Sequence, residues 1–157
     1  MSRSDGVRRN RRGSGPAVSP GTRRVLLVVL GVVALGIGGW AYFAPEAWYG
    51  SFPGFGLRWL PVLGPYNQHL SSDVGAFYLG FAVLTLLAAG RAADTALVRV
   101  TGAAWLVFNV FHTAYHLHHL DTYSATDNLL NAVSLGVFLL ISAALLLPLR
   151  RGSAATG

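Results

Sequence analysis

The chain has 157 residues, 53% of them hydrophobic and 11% charged. A soluble domain carries roughly 25% charged positions, so this is a membrane composition. Cysteine is absent, which excludes disulfides, thiolate metal sites, iron–sulfur clusters and cysteine nucleophiles, and the formal charge of +6 is carried by arginine alone, seven of the 12 lying in the first 24 residues. No aromatic-basic interleaving accompanies that charge, so it reads as membrane topology and not as nucleic-acid binding.

Residues 1–22 combine Arg, Ser, Gly and Pro with few apolar side chains, and a disordered basic tail is expected there. From Val25 to Phe43 the sequence is uninterruptedly apolar, and at about 1.5 Å per helical residue it approaches the ~30 Å hydrocarbon core of a bilayer. A cleaved signal peptide is the competing reading of this basic-then-apolar start. The apolar run is long for one, and no clean small-x-small site follows Trp40.

Residues 44–72 are rich in Pro, Gly and aromatics, and Trp48, Tyr49, Phe52, Phe55 and Trp59 suit the headgroup zone, so an interfacial loop is expected. Further helices are expected over 73–89, 96–118 and 127–147. The fold class is therefore all-α: a polytopic four-transmembrane-helix bundle over 23–149, followed by a short tail, 150–157. Eleven arginines fall on one side of this arrangement and only Arg58 on the other, which places both termini in the cytoplasm of a multi-pass cell-membrane protein.

This topology brings polar side chains together at the outer end. In "NVFHTAYHLHHLD" (109–121), helical spacing of about 100° per residue puts His112, His116 and His119 within an arc of roughly 60°, with His118 opposite. The second helix starts near His69 and Asp73, and the fourth near Asp127, Asn131 and Ser134, which share a face. Asp73, Ala76 and Gly80 share a face of the second helix, where small side chains allow close helix approach.

Imidazoles at i and i+4 can bind one ion, so His112 and His116 are candidate metal ligands. His69, Asp73 and Asp127 would complete the set; Zn²⁺ is the first choice, and Cu²⁺ or Fe²⁺ the alternatives. Ordinary readings stand beside this one. A polar helix end marks the water boundary, Asp73 and Asp127 follow Ser or Thr and suit the first turn of a helix as N-terminal carboxylates, and Asn67 closes a Gly-Pro-Tyr-Asn turn.

"GPYNQHLSSDVGAFYLGFAVL" (64–84) and "AAWLVFNVFHTAYHLHHLD" (103–121) resemble a group of small actinobacterial integral membrane proteins, similar in layout to four-helix domain-of-unknown-function and DoxX-like proteins. The resemblance covers residues 25–148 in arrangement and is specific in those two stretches. It implies fold and membrane location, and marks Asn67, Gln68, His69, Asp73, His112 and His116 as pattern positions, without a substrate or catalytic role.

Three functions follow as expectations. The first is a membrane protein with a His/Asp polar, metal-binding site at its outer face, and an enzyme of this type would use the ion to activate water. The second is a structural or accessory subunit in which the polar cluster ties helices together. The third is a haem protein with His69 and His116 as axial ligands. The partners implied are the lipid bilayer and a second membrane-embedded chain, either its own copy or another protein.

Overall fold

The computed structural model describes residues 16–150; the basic stretch 1–15, most of the expected tail, and 151–157 lie outside the described residues. Four long helices are present: α1 (Pro20–Phe43), α3 (Gln68–Gly90), α4 (Thr95–His118) and α5 (Ala125–Leu146). Between α1 and α3 lie a short helix, α2 (Pro45–Ser51), and a two-residue antiparallel ladder of β1 (Pro53–Gly54) with β2 (Leu57–Arg58). A 3₁₀ turn over Pro61–Leu63 completes the connection.

Side-chain caps, more than apolarity, set where the helices begin. Ser19 Oγ accepts from the Thr22 amide at 3.0 Å, and Pro20 occupies a first-turn position where its missing N–H costs nothing, so α1 starts five residues before the apolar run. Asn67 Oδ1 likewise accepts from the Leu70 amide at 3.0 Å, so α3 also starts five residues earlier than its apolar pattern. Asp94 caps α4 through two amides, and Ser124 caps α5 through the Asp127 amide. Asn67 therefore both closes the turn and caps the helix, and Asp73 lies beyond the first turn.

The interior is small and partly polar while the outside is large and apolar. Ala34, Ala82, Ala88, Thr85, Thr101, Asn109 and Ser142 are buried, whereas Phe111 is 74% and Leu140 73% exposed. A protein in water would bury those rings and branched chains; lipid reverses the demand. The helices α1, α3 and α5 are long and apolar enough to cross a membrane, which makes this a multi-pass membrane protein.

The chain runs up and down as two tight pairs, α1 along α3 and α4 along α5, with thinner contact between the pairs. Glycine permits the first pairing: a methyl group on Gly75 would lie 2.5 Å from the Tyr42 amide nitrogen, and one on Gly38 2.8 Å from that of Leu79. The small face expected from Asp73, Ala76 and Gly80 is instead exposed, with nothing near Gly80. Ser71, Gly75, Ala82, Ala88 and Ala89 are the buried small residues of α3, with Thr85 beside them.

Both described ends meet at one end of the bundle, where Val18 bridges Leu149 and exchanges backbone bonds with Pro148 and Arg150. Arginines occupy the helix C-termini there. Arg23 donates to the Leu147 carbonyl at 2.7 Å, Arg99 to that of Leu146 at 3.2 Å and Arg24 to that of Ala89 at 3.3 Å. These pairings satisfy carbonyls that a helix end leaves free and place positive charge at the negative pole of α3 and α5.

A polar cavity at the far end of the bundle

At the opposite end, the thin contact between the two helix pairs leaves a cavity of about 110 Å³ reached by all four long helices. From α4 it is lined by Trp105, Phe108, Asn109, His112 and His116, and from α5 by Asn131, Ser134, Leu135 and Phe138. Val33 and Ile37 of α1 and Tyr78 of α3 close the other wall, and Phe52, Trp59, Leu60 and Tyr123 come from the connecting loops.

The histidines belong to an aromatic column along α4, set by the i, i+4 spacing of one helix face. His112 stacks on Phe108 with ring centres 5.3 Å apart, meets His116 edge-on at 4.9 Å, and His116 faces Tyr123 at 5.7 Å. His119, expected on the same arc, leaves the helix instead: it stacks on Tyr115 at 4.1 Å and donates from Nδ1 to the Tyr115 carbonyl at 2.7 Å. His118 is exposed, as the helical spacing predicts.

Two residues lining this cavity bury a polar atom that has no protein partner: His116 Nδ1 and Asn131 Nδ2, the latter on a residue only 5% exposed. Asn109 provides the contrast. It is equally buried but donates from Nδ2 to Ser142 Oγ at 3.0 Å, and that hydroxyl donates in turn to the Phe138 carbonyl at 2.7 Å. Leaving an amide unpaired away from water costs on the order of 1–3 kcal/mol, so an unpaired pair of polar atoms around one void asks for an occupant.

A lid covers the end of the cavity. Trp59 donates from Nε1 to Asp127 Oδ1 at 2.8 Å, its carbonyl accepts from the Tyr123 hydroxyl at 3.1 Å, and Ser124 Oγ donates to Asp127 Oδ2 at 2.6 Å. Loop aromatics thus pack onto the bundle: Trp48 is buried, and Phe52 lies within 6.4 Å, centre to centre, of Trp40, Trp48 and Trp59. Phe55, fully exposed, alone of the five expected aromatics keeps wholly to the surface.

The five expected metal ligands divide into three groups. His112 and His116 line the cavity; Asp127 is engaged by Trp59 and Ser124 and holds the lid. His69 and Asp73 pair with each other at 3.3 Å on the exposed face of α3, with 88% and 61% of their side chains accessible. The reason is the pairing of α3 with α1, which turns that face away from α4. Among the described residues, no three His, Asp or Glu side chains come close enough to share a metal ion. His69, on the open face, also does not oppose His116 across the cavity as a second axial haem ligand would.

In the sequence Asn131 and Ser134 stand out only as companions of Asp127 and Trp59 only as an interfacial aromatic, while Asn109 and Tyr78 do not stand out as site residues. Lone amides within apolar runs are the signal that points to Asn109 and Asn131, since such groups turn inward. No protein-family model, curated protein or solved structure matches the chain. The case for a function rests on these side chains themselves.

Proposed function

We propose that the chain is a four-span membrane protein that binds a small uncharged molecule in the cavity at its extracytoplasmic end. The carrying observation is that two residues lining one cavity, His116 and Asn131, each bury an unpaired nitrogen, Nδ1 and Nδ2 respectively. No Asp, Glu or Arg lines it, so its occupant is neutral. The fourth span is α4, whose mean apolarity is lowered by Thr101, Asn109, His112 and His116. Those residues are buried or half-buried, while Val100, Val107, Val110 and Phe111 are exposed along the same helix. The arginine-capped end is cytoplasmic by charge asymmetry.

Butanone is a suitable small probe because its carbonyl accepts hydrogen bonds and donates none. Titrated against isotope-labelled protein in lipid nanodiscs, it should shift the Asn131 side-chain amide and the His116 ring resonances saturably, and Asn131→Leu should abolish saturation. Absence of any saturable shift in the wild-type protein would reject the reading. Orientation is tested separately, with a reporter after Gly157 expected in the cytoplasm and one near Gly54 outside.

A metal-binding version retains one supporting observation, the His112 and His116 rings 4.9 Å apart at i, i+4. It requires water or a ligand to supply the remaining donors for Zn²⁺ or Cu²⁺. Equilibrium dialysis against Zn²⁺ separates the versions: stoichiometric retention lost in both His112→Ala and His116→Ala would favour the metal.

A further inference from the structure

The cavity is closed differently at its aqueous end and at its lipid side. Toward water, the Trp59 lid is tied down by Asp127 and Tyr123. Toward lipid, the contact between α3 and α4 is a crevice walled only by aromatic rings, Phe77, Tyr78, Phe81, Trp105 and Phe108. Tyr78, Trp105 and Phe108 line both crevice and cavity, and Phe77, at the other side of the crevice, is 62% exposed on the apolar surface. Trp105 is anchored to α3, its Nε1 donating to Thr85 Oγ1 at 2.8 Å, so the seam parts by rotation of the phenylalanine rings packed against it, whereas the lid opens only by breaking hydrogen bonds to a carboxylate and a carbonyl.

Size and charge narrow the occupant further. A dry protein cavity of about 150 Å³ holds benzene, so a void of about 110 Å³ takes a head group and not a whole amphiphile. The neutral lining excludes a charged head, and the Asn131 amide requires an acceptor. We infer that the ligand is lipid-borne: an uncharged amphiphile that enters through the α3–α4 seam, seats a small carbonyl head between His116 and Asn131, and leaves its hydrocarbon part in the seam. This inference rests on the cavity being a binding site, as proposed above.

The natural absence of cysteine makes a route test direct, because Ser134→Cys places the sole thiol of the chain in the cavity. Phe138→Cys, another lining position, serves as the second variant if the first misfolds. In phosphatidylcholine proteoliposomes the thiol is challenged with N-hexylmaleimide or with the charged reagent methanethiosulfonate ethyltrimethylammonium. Relative to its rate on a free thiol, N-hexylmaleimide should react at least about tenfold faster than the charged reagent, since a charge at membrane depth costs more than a factor of ten represents.

A saturating long-chain ketone, 2-tridecanone, should slow N-hexylmaleimide labelling, whereas tridecane, of matching chain but without the carbonyl, should not. Equal normalised rates for the two reagents would show that the cavity opens to water and overturn the lipid route while leaving the binding site standing. Equal protection by ketone and alkane would overturn recognition of the carbonyl head. A thiol that reacts with neither reagent until the protein is denatured would overturn the cavity reading itself, and the inference with it.

Discussion

The indole N–H of Trp59 and the carboxylate of Asp127 are joined at 2.8 Å, linking the first loop of the chain to the first turn of its last long helix. The two residues are 68 positions apart, and their bond fixes the lid over the cavity. Asp127 also accepts from Ser124, which caps the same helix, so one carboxylate serves both helix start and lid. Replacing Asp127 by Ala should free the indole and raise acrylamide quenching of Trp59 fluorescence severalfold, in a background where the other tryptophans are phenylalanine. Quenching equal to that of the parent would show that ring packing alone holds the lid.

The paired and unpaired asparagines should respond oppositely to the same change. Asn109→Leu removes the donor to Ser142 and should destabilise the detergent-solubilised bundle by about 0.6 to 2 kcal/mol, the range for hydrogen bonds between membrane helices. Asn131→Leu removes an unpaired donor and should be neutral or stabilising in the ligand-free protein. Denaturation curves of both variants check this, and an equal loss at the two positions would mean that Asn131 has a protein partner.

How much of this was legible in the sequence depended on which force decided each feature. Apolar run lengths report the bilayer, and they located four helices whose C-terminal bounds fall within a residue of the expected ones. Helix starts report capping, and Ser19 and Asn67 each added five residues that hydropathy could not supply. Helical spacing put His112 and His116 on one face correctly. It could not say that α3 would lie against α1, and that pairing is what leaves His69 and Asp73 outside. Nor does any local signal mark Trp59, among five loop aromatics, as the ring that bonds Asp127.

The α1–α3 pairing rests on close backbone approach, which makes glycine position decisive. A methyl group at Gly75 meets the Tyr42 backbone, so Gly75→Ala should cost about 1–3 kcal/mol, the usual penalty for overpacking. Gly80→Ala, five residues along the same helix with nothing nearby, should be neutral or slightly stabilising through helix propensity. Thermal unfolding in a common detergent compares the two, and similar losses would place the α1–α3 contact on a different face.

Tyr123, in the loop before α5, titrates abnormally. Burial first, and then the neighbouring Tyr115, Asp127 and Tyr49, push its hydroxyl from 10.0 to about 12. Because the folded value is the higher, the neutral phenol contributes stability in full below pH 10, and that contribution is lost as pH rises through about 12. Stability measured from pH 9 to 12 should fall across this window, and Tyr123→Phe should flatten its part of the fall. An unchanged pH profile in that variant would show that Tyr123 ionises as freely as an exposed phenol.

The most direct test of the cavity as a binding site is a crystal structure of the wild-type protein grown from a lipid mesophase with a saturating methyl ketone. The account predicts non-protein density between α4 and α5, with one oxygen within hydrogen-bond distance of both His116 Nδ1 and Asn131 Nδ2 and an apolar chain running toward Phe77. A cavity free of ligand density, with those two nitrogens satisfied by protein groups, would contradict it.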